Sequence, residues 1–134
     1  MSQENVEIIR KLNEAFNQDG MGADAAVGFF DAGAVFEEPP EQPSPTVAEG
    51  LDAVVRTFKQ FDEAWEEHRS DLEEIRVIDD ERVLMLSIEH FRGREGIELA
   101  QPCGTVFTLR DGRVTRMQPF WERENALRAA GLRD

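Results

Sequence analysis

The chain has 134 residues, 40% of them apolar and 32% charged, enough for one domain over residues 1–134 whose core buries roughly 70% of the unfolded surface. A net charge of −13, twenty-eight acids against fifteen bases, repels phosphates and anionic lipid, so neither nucleic acid nor membrane is an expected partner. The single cysteine, Cys103, excludes an internal disulfide framework.

The opening stretch "MSQENVEIIRKLNEAF" carries charges where a signal peptide needs an apolar run. No aliphatic stretch is longer than "VLML", far short of a membrane span, and a soluble cytoplasmic protein is the simplest expectation. Val6, Ile9, Leu12, Ala15 and Phe16 recur at helical spacing and predict a helix over Ser2–Gln18. A second short helix is expected over Ala23–Asp31, with Ala26, Phe29 and Phe30 on one face. "GAVFEEP" then reads as a strand, ended by a proline that cannot donate to a ladder.

After the proline-rich "PPEQPSP", Leu51, Val54, Val55, Phe58, Phe61 and Trp65 form one apolar stripe, the strongest helix signal in the chain. Beyond "EEHRSD" the period becomes alternating. "LEEIRVI" and "RVLMLSIEHF" are expected strands joined through "DDE", and "GIELAQPCGTVFTL" is a third, with a bulge expected at Pro102 and Gly104. Asp111-Gly112 between alternating runs is a strong hairpin signal leading into "RVTRMQPFW". A last helix, "RENALRAAG", is capped by Gly131. The order is α-α-β-α-β-β-β-β with a short C-terminal helix, an α+β domain with helices packed on an antiparallel sheet. In "RVLMLSI", Val83 and Met85 face one way while Leu84, Leu86 and Ile88 face the other. Both faces need a cover, and the long helix supplies only one. A homodimer through the sheet is therefore expected.

The chain resembles the nuclear-transport-factor-2-like superfamily, especially its SnoaL-like members. The resemblance rests on "ENVEIIRKLNEAFN", "FFDAGAVFEEP", "VAEGLDAVVRTFKQF" and "FTLRDGRVTRMQPFWERENAL", which together cover nearly the whole chain. It implies a cone, a curved sheet wrapped around the long helix with an apolar pocket at one end. It also implies a protein that binds a small apolar or amphipathic molecule. Any catalysis would be cofactor-independent acid–base chemistry of isomerase, cyclase or hydrolase type. The alternative is a non-catalytic binding or interaction module with a filled cavity.

Within that resemblance, Glu38 before Pro39 stands where the steroid isomerases of the superfamily keep their proton-shuttling carboxylate. A carboxylate at the lip of an apolar cavity is suited to such a task. The same isomerases hold an oxyanion with a tyrosine and a protonated acid. The matching positions here are Leu12 and Gly104, and the chain has no tyrosine, so that mechanism is not expected to carry over. Glu37 should face away from Glu38.

Glu89 is a second candidate, in phase with Met85 and Ser87, and its neighbour His90 is the alternative if the register slips by one. Met117, Pro119 and Trp121 are expected around the pocket, each equally readable as plain core, and Trp65, ending the stripe of the long helix, reads first as core and second as pocket wall. Glu122 is a third acid, also readable as a helix-start charge. Cys103 reads as a small buried residue and His68 as exposed. Two histidines without ligand spacing make a metal site an unlikely feature of this sequence.

Overall fold

The computed structural model describes residues 2–18 and 28–132. Helix α1 spans Ser2–Gln18, followed by strand β1 at Phe30–Glu37 and β2 at Val47–Glu49. Helix α2 runs Leu51–Ala64, then come β3 (Glu67–Val77), β4 (Arg82–Arg92), β5 (Glu98–Arg110) and β6 (Arg113–Phe120), and helix α3 (Arg123–Ala130). The six strands form one sheet in the order β2-β1-β6-β5-β4-β3. All neighbours are antiparallel except β1 and β6, which run parallel.

The period readings for α1, α2 and the β4–β6 meander agree with this structure. Asp111 and Gly112 both adopt positive φ, 53° and 78°, the pair of left-handed residues that a tight twisted hairpin turn requires. The second expected helix lies mostly outside the described residues. Its end does not hold, because Phe30 and Asp31 already belong to β1. The fully buried Phe30 is turned into the core beneath Phe58. The short β2 was hidden behind the prolines. It pairs Val47–Glu49 with Glu37–Val35.

The main core lies between one sheet face and the two long helices. Phe58 of α2 sits at its centre, edge-on to Phe16, Phe30 and Phe36 at centroid distances of 5.8, 5.9 and 5.2 Å. Such contacts add to the area each ring buries. Ile9 and Leu12 of α1 and Val54 of α2 are likewise removed from solvent.

The opposite sheet face corrects two expectations. Leu84 and Leu86 do not wait for a second protein copy. Together with Val106 they pack under Ala126, Leu127 and Ala130 of α3, so the chain itself covers this part of the face. Gly104 is the seat of that helix, because a Cβ built there would lie 2.5 Å from the Cβ of Ala126. The glycine therefore serves close approach, and no bulge occurs at it. The β4–β5 register is unbroken from Arg82↔Thr108 to Arg92↔Glu98. The irregularities fall instead between Leu72 and Glu74 on β3, at Thr115 of β6 between the pairs Thr108↔Arg116 and Leu109↔Val114, and between Phe30 and Val35 on β1.

Candidate functional site

Alternation on β4 turns Met85, Glu89 and Phe91 toward α2, and β3 brings His68 and Ser70 alongside through the pairs His68↔Phe91 and Ser70↔Glu89. The mouth of the cone is left as a cavity of about 260 Å³, at the small end of the roughly 300–1,000 Å³ typical of ligand pockets. Its walls are mainly apolar: Phe36 and Pro39 at the end of β1, Phe61 on α2, and Met117, Pro119 and Trp121 along and after β6.

One polar cluster interrupts these walls. Glu89 Oε1 lies 2.7 Å from His68 Nε2, and Oε2 accepts hydrogen bonds from Ser70 Oγ and Ser87 Oγ, each at 2.5 Å. The side chains of His68 and Glu89 are only 7% and 15% exposed. His68 is stacked on Phe91 at 4.9 Å and meets Phe61 edge-on at 5.7 Å. The expectation of an exposed His68 is thus wrong, because these two rings and β4 enclose it. Its Nδ1 is buried without a partner among the described residues. Ser70 is itself fixed from α1. Its N–H donates to Asn17 Oδ1 at 2.8 Å, and its carbonyl accepts from Asn17 Nδ2 and Asn13 Nδ2 at 2.9 and 3.2 Å. The first helix therefore sets the position of the hydroxyl that holds Glu89.

Glu38 also borders the cavity. Its Oε1 accepts from the backbone N–H and hydroxyl of Thr46 at 2.8 and 2.9 Å, and its own N–H donates to the Thr46 carbonyl at 2.9 Å. The carboxylate beside the prolines thus pins the proline-rich loop to the end of β1. Glu37 points away and pairs with Arg116. Met85, Met117, Pro119 and Trp121 line the cavity, while Ser87 lies fully buried behind Glu89 and reaches it only by hydrogen bonding. Trp65 does not line it. Helix α2 ends one residue earlier, and the indole packs on Phe91 and beside Gly93. Glu122 is exposed at the start of α3, outside the lining. His90 faces outward and contacts Asp71 at 2.9 Å.

The isomerase comparison also shifts. Leu12 is packed in the core and Gly104 faces α3, so the cavity sees Cys103 and Thr105 of β5 instead. Burial, with a smaller contribution from Glu89, pushes the Cys103 thiol up to about 12. It is not poised as a nucleophile.

Glu41 was not among the residues expected at the site. Its carboxylate accepts from Asn125 Nδ2 at 2.9 Å and from the N–H groups of Trp121 and Glu122 at 3.0 and 3.3 Å. This ties the proline-rich loop to the start of α3. Burial pushes this carboxyl up, but those hydrogen bonds outweigh it and hold it below its ordinary value. No group of three or more His, Cys, Asp or Glu side chains suited to a metal ion occurs among the described residues. No helix among them is long and apolar enough to cross a membrane.

A curved sheet of six strands wrapped on one long helix, with a cavity at its mouth, is the NTF2-like architecture. The SnoaL-like domain family matches residues 9–117, and the chain belongs to that family. Among solved structures it is similar to Bal32a from a soil-derived mobile gene cassette, at 24% identity over 88% of each chain with a TM-score of 0.76. It is also similar to a ketosteroid-isomerase-like fold protein from Catenulispora acidiphila in complex with trimethylamine. That match has 16% identity over 95% of this chain and 94% of that one, with a TM-score of 0.74. TerC, co-crystallised with polyporic acid, matches at 14% identity over 96% and 98%, with a TM-score of 0.76. At these identities the likeness is one of fold. No curated protein matches the chain.

Proposed function

We propose that the chain binds a small apolar or amphipathic molecule in its cone and acts on it by cofactor-independent proton transfer. The observation that carries this reading is an apolar cavity whose wall holds one carboxylate–imidazole pair, Glu89 and His68. With Glu89 as a carboxylate, Nε2 of His68 carries the proton and donates it in a hydrogen bond to Glu89. Nδ1 is sealed from solvent, so His68 orients the pair and the Glu89 carboxylate, which lines the cavity, is the candidate base. Glu38, its Oε1 engaged by Thr46, becomes a polar contact at the rim and the secondary candidate for the base. The small ligands in the trimethylamine and polyporic acid complexes of the two fold relatives support occupancy of such a cone.

A non-catalytic binding module is the second reading. It is favoured by the saturation of Glu89, whose two oxygens already meet three donor groups. Native mass spectrometry of the purified protein identifies any molecule that copurifies, and proton exchange of that molecule in deuterated water separates the two readings. Deuterium uptake with the wild type that disappears in Glu89→Gln supports catalysis. Binding without uptake leaves the module.

Self-association through the sheet is the partner reading. It is confined to the part of the outer face that α3 leaves open around Ile88, Ala100 and Pro102. Sedimentation equilibrium tests it.

A further inference from the structure

From the charge and ring content of the cavity we infer that its preferred occupant is an organic cation, an alkyl- or arylammonium, over a neutral or anionic molecule of the same shape. The inference rests on occupancy of the cone by a small molecule and is independent of whether proton transfer follows. Two carboxyl groups, Glu38 and Glu89, reach the lining, and the lining residues include no lysine or arginine among the described residues. Counting His68 as neutral leaves the lining at −2, and counting it as protonated still leaves −1. An anion entering this space meets repulsion from both acids, with no lysine or arginine in the lining to offset it. A neutral hydrocarbon strips water from the acids and returns nothing. A cation is the one class of guest that compensates the desolvated charge.

The aromatic surfaces point the same way. Phe91 and Trp121 meet at 5.6 Å with planes 60° apart, and Phe61 adds a third ring 5.5 Å from Phe91 at 61°. All three line the cavity. His68 stacks on Phe91 and Trp65 packs against it, so Phe61 and Trp121 are the rings left to meet a guest, and a quaternary or tertiary ammonium is attracted by such electron-rich surfaces. The net charge of −13 adds a long-range field that raises the local concentration of cations.

Isothermal titration calorimetry with phenyltrimethylammonium, its carbon isostere tert-butylbenzene and the anion benzenesulfonate tests the inference on the intact chain. The expected order of affinity is cation, then neutral, then anion, with the cation favoured over the isostere by about tenfold. In Glu38→Gln, and separately in Glu89→Gln, that preference should shrink several-fold, with the affinity for phenyltrimethylammonium falling more than that for tert-butylbenzene. Equal or tighter binding of tert-butylbenzene by the wild type overturns cation selection and leaves small-molecule binding intact. Heat from none of the three at saturating concentration overturns both.

Discussion

His68 and Glu89, twenty-one positions apart in sequence, meet across neighbouring strands with 2.7 Å between Nε2 and Oε1, both largely shielded from water. Each is the other's compensation, since a polar group buried without its partner keeps the full cost of desolvation. Glu89→Gln should therefore lower stability by about 1–3 kcal/mol. A double-mutant cycle with His68→Ala and Glu89→Ala should give a coupling of about 0.5–3 kcal/mol in urea unfolding. Additive losses would show that the contact contributes nothing.

Gly104 allows α3 to lie on the sheet. Gly104→Ala places a methyl 2.5 Å from the Ala126 Cβ, and overpacking of this kind costs about 1–3 kcal/mol. Ala126→Gly alone costs about 1 kcal/mol through helix propensity. In the Gly104→Ala background the same change should cost less or be stabilising. The denaturation midpoints of the four proteins check this, and a plain sum of the two losses refutes it.

Glu41 gives the proline-rich loop a pH-dependent anchor. Its carboxyl is held below the ordinary value of 4.5. Its contribution to stability is therefore complete above that ordinary value and is lost as pH falls through the lower folded value. Thermal midpoints of the wild type and Glu41→Gln should differ most near neutrality and converge only as pH falls from 4.5 through the lower folded value. A gap that stays constant into acid would mean that the charge of Glu41 is not what secures the loop.

Cys103 should be nearly inert while the chain is folded. Its thiol is pushed up to about 12 and its surface is 5% exposed. Reaction with a disulfide reagent at mildly alkaline pH should be about a thousandfold slower than in urea, because the thiolate is the reacting form. Comparable rates in the two states would contradict the burial described above.

The sequence carried much of this fold in its periodicities. The stripe of α2 and the alternation of β4 are local patterns, and the Asp111-Gly112 turn needs no distant contact to be recognised. What was hidden depended on partners far along the chain. Strand β3 begins at Glu67, yet "EEHRSD" looks like a connector because its inward positions are His68 and Ser70. The irregularity between Leu72 and Glu74 then shifts the phase, so His68, Ser70 and Leu72 do not alternate in step with Ile75. His68 is buried only because Phe61 and Phe91 close on it. The cover of the outer face was misread for a similar reason. Gly104 and Ala126, the small residues that let α3 settle there, are twenty-two positions apart, and neither is conspicuous alone. Glu89 was legible as an inward acid, but its ties to Ser70, and through Ser70 to Asn13 and Asn17, required the packed structure.

The parallel pairing of β1 with β6 bears on the order in which the molecule can assemble. Val35 lies beside Arg116 and Phe36 beside Met117, so the first strand, paired early only with the short β2, joins the rest of the sheet only after the last strand exists. The β3–β6 meander can form from hairpins between sequence neighbours, whereas joining β1 closes a loop of most of the chain. Long-range closure of this sort slows folding and leaves an unpaired strand edge waiting. On a ribosome, Phe30 to Glu37 would emerge early with only the three-residue β2 to pair with until Arg113 to Phe120 had been made, so docking of β1 on β6 should be the late, rate-limiting event.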